Sequence, residues 1–225
     1  MASVARTIEV WKSYGQGGPR QVDAVQGVSV EIEKGRVTAI GGPSGSGKTT
    51  LLSLIGLLTR PTKGKILYDD KDLSSVSEVY RTRVRRNRIG FIFQAQYLIP
   101  QLTAIENVAL PKLCMDVPRS EAERQAAERL VALGMSHRLG FRVAELSGGE
   151  QQRVSIARSL MNSPDVLIAD EPGASMDEDL TAELLSALRG MVDEHGLTVI
   201  VASHDQKVLD WADKRLNMRD GKIVT

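Results

Sequence analysis

The run Arg36-Val37-Thr38-Ala39-Ile40-Gly41-Gly42-Pro43-Ser44-Gly45-Ser46-Gly47-Lys48-Thr49-Thr50 decides how this chain folds. Arg36 to Ile40 reads as a buried strand that feeds directly into a glycine loop. Thr50 to Leu58 follows as a helix, stopped by Thr59-Arg60-Pro61. Gly42 to Thr49 fits the spacing Gly-x-x-x-x-Gly-Lys-Ser/Thr, and strand–loop–helix is the context in which that spacing wraps a polyphosphate. Gly45 and Gly47 permit the backbone angles and close approach that a wrapped phosphate requires. Lys48 supplies a point charge between β- and γ-phosphates, and Thr49 a hydroxyl ligand for Mg²⁺.

Downstream, the pattern alternates. Val166 to Ala169 is a fully apolar strand ending in Asp170-Glu171, and Leu180, Leu184, Leu188 and Met191 share one face of the helix after it. A last apolar strand, Thr198 to Ala202, ends at Ser203-His204-Asp205. Strands alternating with helices imply a parallel sheet with ligands beyond the strands' C-terminal ends, which is where the loop, Asp170-Glu171 and His204 all fall. Buried without a partner, Asp170 is costly, and coordination of Mg²⁺ supplies that partner. Glu171 projects beyond the strand, placed to polarise water in line with a γ-phosphate, and His204 is placed to contact that phosphate. His137 and His195 read as surface residues at helix ends.

A second anion-handling element is Leu146-Ser147-Gly148-Gly149-Glu150, about a hundred residues after the loop. Ser147 and Glu150 have capping-box spacing, so one reading is a well-capped helix. The other reading is an anion site at a glycine-exposed helix N-terminus that lacks a ligand in its own chain.

Earlier, Ile8 to Val10 and Val22 to Glu33 alternate as half-buried strands around a Gly15 to Pro19 loop, and Ile66 to Tyr68 and Ile89 to Phe93 are further short strands. Ser120-x-x-Glu123 has the spacing of a capping box opening a helix through Ala126, Leu130 and Leu133 that stops at Gly134. Five arginines between Arg81 and Arg88 read as a solvated helix face rather than a docking patch. Tyr97 to Leu102 is either core or a docking surface.

Composition excludes several classes. The 225 residues, 42% hydrophobic and 25% charged, suit one α/β unit that buries a sizeable core. With 29 basic and 28 acidic residues the net charge is +1, which gives no reason to expect nucleic acid as a partner. The single Cys114 rules out an internal disulfide and reads as a buried, inert thiol. No stretch approaches the ~20 apolar residues of a membrane span, and the N-terminus lacks a secretory core.

Taken together, these motifs resemble the ATP-binding subunit of an ABC transporter, and the resemblance runs from about Ile8 to Val224. It assigns Gly42, Pro43, Ser44, Gly45, Ser46, Gly47, Lys48 and Thr49 to the Walker A loop, with Thr50 beside it as a further ATP-binding residue, Gln94 to the Q-loop and Leu146, Ser147, Gly148, Gly149 and Glu150 to the signature. Val166 to Glu171 becomes Walker B with its catalytic glutamate, Asp177 the D-loop aspartate, His204 the switch histidine and Tyr14 an adenine-stacking aromatic. The implied fold is α/β: a RecA-like P-loop NTPase core with an N-terminal antiparallel β subdomain and an inserted helical subdomain. Residues 1–94 and 162–225 would form the core and 95–161 the helical part. Catalysis would fall to Glu171, His204 and Gln94, and Mg²⁺ to Thr49, Gln94 and Asp170.

The resemblance further implies a homodimer that sandwiches ATP, each Walker A loop against the other copy's signature, and a membrane subunit that holds the chain at the inner face of the cell membrane. Ile89 to Gln94, Leu98-Ile99-Pro100 and Glu106-Asn107-Val108 are similar to the lipoprotein-releasing and macrolide-exporting branch, which moves amphiphiles. A signalling complex that moves no substrate, and a soluble ABC ATPase, are the alternatives. Gly173 departs from the Thr usual after Glu-Pro, which loosens the expected turn before Asp177.

Overall fold

A computed structural model describes residues 2–15, 17–18, 20–173 and 178–224. The chain opens with two long strands, β1 (Ser3–Tyr14) and β2 (Val22–Glu33), then β3 (Val37–Gly41) and α1 (Lys48–Ile55). Next come β4 (Lys63–Tyr68), β5 (Lys71–Asp72), α2 (Glu78–Arg88) and β6 (Ile89–Ile92). Three helices follow, α3 (Ala104–Leu113), α4 (Arg119–Ala132) and α5 (Gly148–Ser159). The chain then returns to β7 (Val166–Asp170), α6 (Glu178–His195), β8 (Thr198–Ala202), α7 (Gln206–Trp211), β9 (Lys214–Arg219) and β10 (Lys222–Val224).

Two sheets result. The antiparallel one has the order β2-β1-β4-β5, and the other the order β10-β9-β3-β8-β7-β6 with parallel pairing everywhere except β10 to β9. β3 and β8 are buried at every position, as strands covered on both faces must be. One apolar cluster joins α1 to the antiparallel sheet and one face of the parallel sheet; a second packs α6 and α7 on the opposite face. A third is built from Ala104, Val108, Leu130, Val154 and their neighbours on α3, α4 and α5.

Register positions the site. Ile40 pairs with Ala202, Asp170 with Ala202, and Ile92 with Ala169, so four strands end together. The residues that follow them, from Gly42, Gln94, Glu171 and Ser203 onward, therefore emerge along one edge.

Several sequence expectations are corrected. α4 begins at Arg119 after Pro118, and no side chain caps it. Ser120 thus lies inside the first turn, and Glu123 instead accepts from Arg119 at 2.6 Å. Pro suits the start of a helix because its missing N–H would be unpaired there anyway. A true capping box forms at Thr103 and Glu106, opening α3. Arg81 is not solvated: it is 2% exposed and donates to the carbonyls of Leu57 and Thr59, while Arg85 also reaches Leu57. Cys114 is exposed, because it caps the C-terminus of α3 rather than entering its core face.

Candidate active site

A cavity of about 500 Å³ opens at the C-terminal edge of the parallel sheet. Residues 44–50 form one wall, and Gln94, Asp170, Glu171 and His204 project from the ends of β6, β7 and β8. Ala24 of β2 closes another side.

The loop is shaped by glycine. Gly47 has φ +103°, and a Cβ there would lie 2.2 Å from the backbone oxygen of Ala24, so no side chain fits. Lys48 opens α1, is 8% exposed, and folds back so that its Nζ donates to the carbonyls of Gly42 (2.7 Å) and Pro43 (3.0 Å). The ammonium is thereby held over the loop's concave face, next to the N–H groups at the start of a helix.

Asp170 carries an electrostatic strain. Burial raises its pKa, the neighbouring Glu171 charge adds to this, and Thr49 and Lys48 oppose it. A cation beside Asp170 would relieve that cost, and the oxygen donors of Asp170 and Thr49 suit a hard ion such as Mg²⁺. No group of three or more His, Cys, Asp or Glu could cage a metal among the described residues.

Glu171 is held three ways. Its N–H donates to the Ala202 carbonyl (2.9 Å), Ser203 Oγ donates to Oε2 (3.2 Å), and His204 Nδ1 lies 2.9 Å from Oε1. Its φ of +49° is unusual for a side-chain-bearing residue and turns the carboxylate back across the strand ends. The hydrogen bond that His204 donates to Glu171, together with the carboxylate's charge, raises the His204 pKa. Ser203 was not singled out from sequence. Its signal was weak, a lone serine beside a histidine, and only strand register brings it to Glu171.

The signature residues lie elsewhere. Ser147 is the N-cap of α5: its Oγ accepts from Glu150 N (3.3 Å), while Glu150 Oε2 accepts from Ser147 N (2.8 Å). The Ser147 N–H and the Arg138 guanidinium (2.8 Å from Oε1) hold the Glu150 carboxyl below its usual range. The capped-helix reading is therefore correct for Ser147 and Glu150. Gly148 and Gly149 N–H groups have no partner among the described residues. None of residues 147–150 lines the cavity around Lys48.

Tyr14 ends β1, is 46% exposed and carries Lys12 Nζ 5.1 Å above its ring, but does not line the cavity. Asp177 lies outside the described residues. The Tyr97 to Leu102 segment divides: Tyr97 and Ile99 are exposed, whereas Leu98 packs against the α3–α5 cluster. Gly173 sits where a Cβ would come within 3.1 Å of Thr181, so α6 occupies space that a side chain would need.

Comparison with known proteins places this geometry. Residues 25–174 match the family model described as ABC transporter. The chain is 43% identical to an uncharacterized ABC transporter ATP-binding protein of Thermotoga maritima over 223 residues, 99% of this chain and 94% of that one. It is 38% identical to the lipoprotein-releasing system ATP-binding protein LolD of Geobacter metallireducens, covering 100% of this chain and 99% of the other. Among solved structures, the dimeric post-hydrolysis state of the ATP-binding cassette MJ0796, bound to ADP and Pi, superposes with a TM-score of 0.93 at 34% identity. That match covers 98% of this chain and 97% of that one.

Proposed function

Since the chain belongs to the ABC transporter family, as an ATP-binding and ATP-hydrolysing subunit, we propose that two copies close head to tail around two ATP molecules and power a membrane partner that extracts or exports an amphiphile. One observation carries this reading. The N–H groups of Gly148 and Gly149, at the positive end of α5, have no partner among the described residues and lie outside the cavity that holds Lys48. A γ-phosphate bound by a second copy completes them.

In this mechanism Lys48 and the loop N–H groups bind the β- and γ-phosphates. Asp170 and Thr49, with Gln94, would hold Mg²⁺, which when bound would supply positive charge beside the phosphates. Glu171 accepts a proton from the attacking water, and His204 holds Glu171 in place and contacts the γ-phosphate. ATP binds the closed dimer better than the open one, so hydrolysis and phosphate release reverse closure. Asp177 and Tyr14 complete the nucleotide contacts in this reading.

The partner's seat is a groove of about 410 Å³ lined by Arg85, Arg86, Phe91, Phe93, Pro111 and Arg158 among others. Its lining holds three arginines and no carboxylate, which favours a cytoplasmic segment of the membrane subunit bearing acidic side chains. No helix among the described residues is long and apolar enough to cross a membrane. Attachment to the inner face of the membrane is thus assigned to that partner. Similarity to LolD supports a lipoprotein or comparable lipid-bearing cargo.

The test is Glu171→Gln. The variant should bind ATP, lose turnover by about two to four orders of magnitude, and accumulate as an ATP-bound dimer in size-exclusion chromatography. Undiminished steady-state hydrolysis would remove Glu171 from the mechanism.

A further inference from the structure

Besides its packing and the Arg138 contact at Glu150, α5 is attached to distant segments through Gln152, Arg153 and Arg158. Near its middle, the 2%-exposed Gln152 donates from Nε2 to the carbonyl of Pro172 (2.9 Å), one residue past Glu171. Arg153 donates to the Leu133 carbonyl at the end of α4 and pairs with Glu183 of α6. At its far end Arg158 donates from Nη1 to the Tyr97 carbonyl (2.8 Å) and from Nη2 to the Gln96 carbonyl (2.5 Å).

The Arg158 contact is unusual in its electrostatics. Burial lowers the Arg158 pKa, and no carboxylate compensates it among the described residues. The guanidinium is partly buried and has no counterion among the described residues, so its hydrogen bonds must offset part of its lost hydration. What it gains is a planar fork on two successive carbonyls, a geometry a lysine cannot reproduce. The segment it grips also needs restraint, because Tyr97 has φ +48°. On its other side that segment rests on aromatic rings: Tyr97 meets Phe93 edge-on at 5.4 Å, and Phe93 stacks on Phe91 at 5.5 Å. Phe91, Phe93 and Arg158 all line the basic groove.

We propose that Arg158 is a positioning residue that makes residues 94–97 move with α5, so that capture of a terminal phosphate at the N-terminus of α5 resets Gln94 and the groove. The inference rests on the ATP-driven closure proposed above. A helix of 12 residues is a rod of roughly 18 Å. A displacement at Gly148 therefore arrives at Arg158 with little loss, and the two carbonyl bonds hand it to the segment that carries Gln94. Arg158 touches no nucleotide in this scheme.

Hydrogen exchange read by mass spectrometry, in the Glu171→Gln background with and without Mg-ATP, tests this. In the parent, ATP should slow exchange at least about tenfold at both 146–150 and 94–98. With Arg158→Met added, protection at 146–150 should persist while protection at 94–98 disappears. Equal protection at both segments, or equal loss at both in a variant that melts as the parent does, overturns the proposal. If Arg158→Met does not fold, Arg158→Lys is scored by the same two outcomes. A parent that shows no ATP-dependent protection at 146–150 instead refutes closure itself, and this proposal with it.

Discussion

Glu171 and His204 meet at 2.9 Å where β7 and β8 end. The imidazole is exposed, so its attraction to the carboxylate contributes little to stability, but it should be visible in titration. Because Glu171 raises the His204 pKa above 6.5, the pair is fully formed below that value and is lost as pH rises through the folded pKa. NMR of the imidazole should show a titration above that of an ordinary histidine, returning toward 6.5 in Glu171→Gln. An unchanged titration in that variant would mean the 2.9 Å contact is not populated in solution. Neither Glu171 nor His204 needed the structure to be noticed, since each follows an apolar strand. Ser203 and Ala24 did, because nothing local marks either one.

At the level of elements, α2 shows why charge patterns mislead. Its arginines look solvated because charged residues usually are, yet Arg81 and Arg85 face the C-terminal end of α1. That end carries carbonyls with no partner in the helix, and Leu57 there adopts φ +58° without the freedom of glycine. Cations are favourable at such an end. Replacing Arg81 by Met should destabilise the fold by about 1–3 kcal/mol, since the half-buried Thr59 carbonyl loses its donor and the Leu57 carbonyl keeps only Arg85. Thermal or denaturant melting measures this, and a variant as stable as the parent would show that Arg85 and water together replace the lost bonds. α4 teaches the complementary lesson. Ser120-x-x-Glu123 has the right spacing for a cap, but Pro118 starts the helix earlier.

For the whole molecule, the decisive fact is division: Lys48 sits in one cavity and Gly148 and Gly149 outside it. Lys48→Ala and Ser147→Ala should each abolish hydrolysis alone. Mixed in equal amounts, they form some dimers in which the intact loop of one copy faces the intact signature of the other. Random pairing leaves about a quarter of all sites complete, so roughly a quarter of the parent rate should return. No recovery on mixing would contradict the shared site. Ser147→Ala should also cost about 1 kcal/mol of stability through its lost cap, which a melt separates from the catalytic loss.

Sequence alone determined what depends on local chemistry: the strand, glycine loop and helix around Lys48, the acidic end of β7, the histidine after β8 and the capped start of α5. Each is legible because a short run of residues both forms the element and carries the group. The parallel register that lines up Gln94, Glu171, Ser203 and His204 was decided only in three dimensions, as were the burial of Arg81, the exposure of Cys114 and the grip of Arg158 on Gln96 and Tyr97. These contacts join residues far apart in the chain, and whether a charged or thiol side chain meets water or protein depends on which distant element packs against it.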